Sequence, residues 1–272
     1  MLKQRVITAS VLLAVLIPVL FCGSFLVFAI TAAAFFAAAT WEGFRLFDRP
    51  HPQAGAAIWT AAFLILIFNQ RQFPAPVLFA ICAALWILRL VPSLGIGLPP
   101  REGVNNRLMH LSYGIAILGC FIAIAALFRH SPQYLLSAMA IVWVADIGAY
   151  AAGKTFGKHK LAPSISPGKS WEGAVGGWLA VLALAAATSF IPGMGDTFAV
   201  RLAAKWGWVG FAAALTLIVA ASIVGDLFES QLKRRAGMKD SSNLLPGHGG
   251  VLDRIDALIP VLPLVALFDY RF

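Results

Sequence analysis

The run VITASVLLAVLIPVLFCGSFLVFAITAAAFFAAAT, Val6 to Thr40, contains 35 consecutive residues without a charge. One α-helix of that length would reach roughly 50 Å at about 1.5 Å per residue, against a bilayer core of about 30 Å. The run must therefore divide, and Cys22-Gly23-Ser24 is its weakest helical point. Two short, closely packed helices are expected on either side. Lys3 and Arg5 ahead of the run imitate a secretory signal. The run is too long for a signal h-region, and Phe21 is too bulky to precede a lipidated Cys22. The segment is expected to stay in the mature chain.

The rest of the sequence repeats this character. Of 272 residues 60% are hydrophobic and only 12% charged, and mean hydropathy is +0.83, too apolar for a soluble domain of this size. Further apolar spans lie near 54–69, 75–92, 111–128, 134–152, 173–191, 207–226 and 251–268. The expected fold is all-α: a polytopic integral membrane bundle of about nine transmembrane helices. Residues 1–110 hold about four of them, and 111–272 form the catalytic region.

Nine spans put the termini on opposite sides. With the N-terminus inside, 16 of the 21 lysines and arginines fall on inner segments, and Arg71, Arg129, Arg201, Lys205 and Arg271 on outer ones. The positive-inside rule selects that orientation, in a cytoplasmic (inner) membrane. The net charge of +9 suits anionic lipid or phosphate ligands. Nucleic acid is not an expected partner, because the cations lie between apolar segments. Cys22, Cys82 and Cys120 sit in apolar stretches and read as packing residues. Gly95-Ile96-Gly97-Leu98-Pro99-Pro100 lacks the third glycine of a dinucleotide fingerprint and reads as a turn.

Three polar groups are costly to place here. Asp146, inside a span, carries an insertion cost of at least ~2.5 kcal/mol, so it should face a polar cavity, a cation or another helix. The inner loop 153–173 contains Ser166-Pro167-Gly168-Lys169-Ser170. Pro163 stands where a Walker A loop needs its first glycine, so a P-loop is excluded. Hydroxyls beside Lys169 still suit a phosphate; a basic loop resting on anionic headgroups is the alternative. The third group joins Asp226 and Glu229 to the charged stretch Ser230 to Asp256. Asp226 and Asp253 end consecutive spans, where they can meet and hold Mg²⁺ together with phosphate oxygens; salt bridges to Lys233 or Arg254 are the alternative. The turn Pro246-Gly247-His248-Gly249-Gly250 can offer N–H groups to phosphate.

That stretch carries Ser230, Leu232, Lys233-Arg234, Lys239-Asp240, Ser242, Leu245-Pro246, His248-Gly249-Gly250-Val251 and Asp253-Arg254-Ile255-Asp256. In this spacing it resembles the signature of the phosphatidate cytidylyltransferases, the CDP-diacylglycerol synthases. The likeness extends upstream through Asp146 to Tyr150 and Ser166 to Gly173, with Ser170 where a threonine is more usual. It implies transfer of a cytidylyl group from CTP to phosphatidic acid, with the active site on the cytoplasmic face. It places the metal at Asp226 and Asp253, with Asp146 and Asp256 as further candidates and a second cation left open. Lys233, Arg234, Lys239 and the turn Gly247 to Gly250 would hold triphosphate, with Asp240 and Arg254 beside them. His248 would face the site, and Ser166, Lys169 and Ser170 would touch either substrate. A homodimer is implied by the resemblance alone. Among rivals, a CTP-using lipid kinase would need a base for an alcohol acceptor. A transporter should show an inverted pair of interrupted helices, and a CDP-diacylglycerol-consuming phosphatidyltransferase should show its Asp-Gly-x-x-Ala-Arg motif; neither feature is present.

Overall fold

A computed structural model describes residues 2–69 and 73–270. Arg71 and Arg271, used above for orientation, lie outside the described residues, as do the side chains of Lys3 and Arg5. The chain runs α1 (Leu2–Phe21), α2 (Phe25–Leu46), α3 (Pro52–Phe68), α4 (Ala75–Leu85), α5 (Val91–Ile96), α6 (Val104–His130), α7 (Pro132–Phe156), β1 (Lys160–Ala162), β2 (Ser166–Ser170), α8 (Trp171–Thr188), α9 (Phe198–Ala236), α10 (Leu252–Ile255) and α11 (Leu258–Tyr270).

The long first run divides where expected. Gly23 adopts φ +71°, which its missing Cβ permits, and the Ser24 hydroxyl caps α2 by accepting from the Val27 N–H. Among the described residues six helical stretches are long and apolar enough to cross a membrane: Phe25–Leu46, Ala75–Ile96, Val104–His130, Pro132–Phe156, Trp171–Thr188 and Phe198–Ala236. Val6–Phe21, Pro52–Phe68 and Leu258–Asp269 are shorter apolar helices. In Ala75–Ile96 a π-helical turn, Trp86–Leu90, joins α4 to α5. Pro92 follows it and cannot donate to the Leu88 carbonyl, so the wider turn absorbs the missing bond.

Helix–helix contacts in a bilayer gain little from the hydrophobic effect and rely on close packing. Helix α11 packs against α4, α6 and α9, and Ile259, Val261, Leu262 and Val265 on it are fully buried. Helices α7 and α8 meet through glycines. A Cβ on Gly148 would lie 2.8 Å from that of Ala180, and one on Gly173 2.8 Å from the Ala149 carbonyl oxygen. The expected boundary near residue 110 falls inside α6, and one apolar core joins residues on both sides of it.

Polar contacts separate by end of the bundle. At one end Gln231 donates to the Ser93 carbonyl, Arg235 to that of Pro99, and Thr8 to that of Pro246. At the other, Gln133 donates to the Gly193 carbonyl, and Asp196 pairs with His130 and accepts from the Ser131 hydroxyl.

Two helix edges differ from expectation. The span ending near 226 continues as helix to Ala236, although Gly207 (φ 64°, ψ 178°) breaks it at the other end. The expected span 251–268 is interrupted after Ile255. Pro260 has no N–H for the Asp256 carbonyl, and both groups instead press against Gly225, where a Cβ would collide with them. The hairpin β1–β2, antiparallel with Lys160 opposite Ser170 and Ala162 opposite Ser166, is an addition to the expected loop. The Glu172 carboxylate ties it to α8 by accepting from the Lys158 and His159 N–H groups.

Candidate active site

The extra turns of α9 put Asp226, Glu229, Ser230 and Lys233 along one stripe, since residues three and four apart share a helix face. Across from Asp226 the hairpin delivers Lys169, whose ammonium lies 2.5 Å from Asp226 Oδ2. The Ser230 hydroxyl donates to Asp226 Oδ1 at 3.2 Å. Ser170 caps α8 by accepting from the Gly173 N–H at 3.2 Å, which fixes the strand end bearing Lys169. Asp146, Ser166, Lys169, Ser170 and Asp226 all line one cavity of about 480 Å³ between α7, α8 and α9. Asp146 thus faces a polar cavity, as its position inside a span required.

Lys233 binds two carboxylates at once, 2.6 Å from Glu229 Oε2 and 2.6 Å from Asp253 Oδ1. Asp253 Oδ2 accepts from the N–H groups of Gly250 (2.7 Å) and Ser241 (2.8 Å) and from the Ser241 hydroxyl (2.8 Å). Loss of solvation alone would raise this carboxyl. The hydrogen bonds from Lys233 and from the two N–H groups outweigh it and hold Asp253 below the usual carboxylate range. Asp256, just beyond, is pushed up to about 7, first by loss of solvation and then by the charge of Asp226. The expected alternatives for Asp226 and Asp253, metal ligand or salt bridge, thus share the same oxygens: each carboxylate has a lysine against it.

A carboxylate absent from the sequence reading completes this corner. Glu42, on α2 and fully buried, accepts from the hydroxyls of Ser242 (2.5 Å) and Ser241 (3.2 Å). It also accepts from the N–H groups of Val251 (3.0 Å) and Leu252 (2.6 Å). The signal was available, because a carboxylate inside a span is costly. Ending the second span at Thr40 left Glu42 just outside it.

The remaining expected residues separate. Lys239 and Asp240 line a second cavity of about 570 Å³, with Trp41, Arg45 and Ser242. Arg254 donates from Nε and Nη2 to the His248 carbonyl (3.0 and 2.7 Å), bracing the glycine turn. Gly247 and Gly249 have φ +77° and +83°, open only to residues tolerating the left-handed region. The His248 N–H donates to the Leu245 carbonyl at 2.8 Å, and that of Gly250 to Asp253. Those two N–H groups of the turn are therefore committed within the protein. Arg234 is exposed on the last turn of α9.

Among the described residues no three His, Cys, Asp or Glu side chains converge tightly enough to enclose an ion. Mg²⁺ does not require that, since it binds through one or two carboxylates with water and phosphate completing its shell. The corner suits such sparse binding. Asp226, Glu229, Asp253 and Asp256 outnumber Lys169 and Lys233, and Glu229 Oε1 is buried without a hydrogen-bond partner.

The profile of the cytidylyltransferase family matches residues 3–272. The phosphatidate cytidylyltransferase of Pseudomonas aeruginosa is 40% identical over 98% of this chain and 96% of its own length. That of Haemophilus influenzae is 35% identical over 99% of both, and that of Staphylococcus aureus 31% over 97% of both. The similarity spans the carboxylate–lysine corner and the helices that assemble it, and the chain belongs to the cytidylyltransferase family.

Proposed function

We propose that this protein transfers a cytidylyl group from CTP to phosphatidic acid, releasing pyrophosphate and leaving CDP-diacylglycerol in the bilayer. The observation that carries this reading is the Lys169–Asp226 pair inside a cavity that sets Asp146, Lys154, Ser166 and Ser170 against a wall of small and apolar residues. Exposed Ile147, Tyr150, Trp171 and Val175 on α7 and α8 suit entry of a lipid acceptor alongside that cavity.

The acceptor is a phosphate monoester with a second pKa near ~6, so it is largely dianionic at neutral pH and needs no general base. One of its oxygens forms the new bond to the α-phosphorus of CTP. The bond from that phosphorus to the β-bridging oxygen breaks, and pyrophosphate leaves with the electron pair. The protein must bring two anions together and neutralise the charge on the leaving group. Lys169 can exchange Asp226 for a phosphate oxygen, while Ser166 donates a hydroxyl proton. Asp226 and Asp253 would hold Mg²⁺, with Asp146 close at hand in the cavity and Asp256 leaving a place for a second cation. Bound there, the metal supplies charge neutralisation for the triphosphate and the departing pyrophosphate. Lys239, in the second cavity, would contact the far end of the triphosphate.

Purified protein in detergent, given phosphatidic acid, Mg²⁺ and CTP labelled at the α- or the γ-phosphate, tests the reaction. The α-label should enter the lipid fraction and the γ-label should leave as pyrophosphate. In a parallel assay with a lipid alcohol in place of phosphatidic acid, γ-label entering the lipid would instead identify a kinase.

Orientation is part of the same proposal: the N-terminus and the signature corner face the cytoplasm, in the inner membrane of a bacterial cell. In a background lacking Cys22, Cys82 and Cys120, cysteines at the exposed positions Ser164 and Gly195 should react with impermeant reagents from opposite sides. Reaction of Ser164→Cys in intact cells would reverse the assignment. The homodimer belongs here too, and molar mass in detergent by light scattering decides it.

A further inference from the structure

We propose that Glu42 is a positioning residue for cytidylyl transfer, acting on Asp253 through the loop from Ser241 to Leu252; the inference rests on the reading above. Glu42 lines neither cavity, so it acts without touching substrate.

The contacts of Glu42 are two N–H groups and two hydroxyls, all from that loop. Among the described residues Glu42 has no matching cation, and a buried carboxylate then depends on its hydrogen bonds, which are strong and short-ranged when charge-assisted. The loop is therefore held where all four donors reach α2. Three successive N–H groups are shared between two carboxylates: Gly250 donates to Asp253, while Val251 and Leu252 donate to Glu42. Moving one carboxylate shifts the peptide that serves the other.

Ser241 strengthens the link. Its hydroxyl has a single proton and lies 2.8 Å from Asp253 Oδ2 and 3.2 Å from Glu42 Oε2. The proton that orients Asp253 is thus placed by a group that Glu42 also contacts. Gly250 sits between them, and a Cβ there would run into both the Ser241 hydroxyl and Glu42. The other Asp253 oxygen holds Lys233. A helix from the N-terminal part of the chain thereby sets the geometry of a carboxylate–lysine pair from the C-terminal part.

Glu42→Gln presents an amide N–H₂ to groups that are themselves donors, and at least one loop contact is lost. Turnover should fall on the order of 30-fold, while KM for CTP and for phosphatidic acid each stays within about threefold, because misplacing a reacting geometry reduces rate more than binding. Glu42→Asp, which keeps the charge on a shorter stem, should recover part of that loss. Adding Ser241→Ala to Glu42→Gln should cost less than about threefold more, since residues in one network are not additive. Should Glu42→Gln not purify folded, Ser242→Ala decides the matter. It removes one donor from Glu42 and the acceptor of the Leu244 N–H without touching Asp253, and should lower kcat severalfold at unchanged KM for phosphatidic acid.

A Glu42→Gln protein with kcat within twofold of wild type overturns the proposal. So does a loss confined to yield and thermal midpoint, a multiplicative effect of Ser241→Ala, or an unchanged kcat in Ser242→Ala. Wild-type protein that moves no α-label from CTP into lipid would instead overturn the reaction assigned above.

Discussion

Asp226→Asn is expected to lower turnover about 1000-fold, roughly 4 kcal/mol of transition-state stabilisation, while the protein still inserts and purifies as wild type does. Asp226 is partly exposed to the cavity, and its contacts are Lys169 and the Ser230 hydroxyl. An isosteric amide therefore removes charge where phosphate and metal would meet and little else. Asp253→Asn should match it in turnover but differ in stability. Its side chain accepts from Lys233, Gly250 and Ser241, and an amide must turn its N–H₂ toward one set of donors. Steady-state rates with both substrates saturating, paired with thermal unfolding in detergent, separate the two. Either variant keeping more than about a tenth of the wild-type rate would remove that carboxylate from the proposed metal site. An Asp253→Asn midpoint equal to that of Asp226→Asn would contradict the contacts assigned to Asp253.

Lys233→Ala should be the most destabilising of the signature substitutions. It leaves Glu229, fully buried, and Asp253, whose side chain is only 5% exposed, without the ammonium between them. Breaking a buried ion pair from one side typically costs about 3–5 kcal/mol, because the remaining charge is uncompensated. Low yield, a clear fall in thermal midpoint and loss of turnover are all expected. Lys233→Met combined with Glu229→Gln removes charge from two of the three groups and leaves Asp253 its N–H donors from Ser241 and Gly250; it should restore part of the midpoint but none of the activity. A Lys233→Ala midpoint within a degree of wild type would mean that water already screens this pair.

Much of the architecture was legible because a bilayer is a severe solvent. Backbone polar groups must be satisfied within a segment, so uncharged runs of suitable length are helices; length alone says that the first run must break, and residue type places the break at Gly23. The interruption of the last apolar run was harder to read. It depends on Pro260 together with the surface of α9 at Gly225, which the Asp256 carbonyl meets. Asp146 was found by the cost of burying charge. Glu42 was missed because its span was ended at Thr40, whereas the helix continues to Leu46. The hairpin carrying Lys169 escaped because three- and five-residue strands are too short to show a period.

The sequence by itself determined the class of the protein, its apolar helices and the stretch from Ser230 to Asp256 in which most candidate site residues cluster. Hydropathy, residue type and spacing are local quantities. Tertiary structure alone decided which ammonium faces which carboxylate: Lys169 at Asp226, Lys233 between Glu229 and Asp253. It also decided that Glu42 on α2, some 200 residues away in the chain, holds the signature loop. The physical reason is that hydrogen bonds and ion pairs act over about 3 Å. Such distances between remote segments exist only after the glycine-lined contact of α7 and α8 and the packing of α11 have brought the helices together.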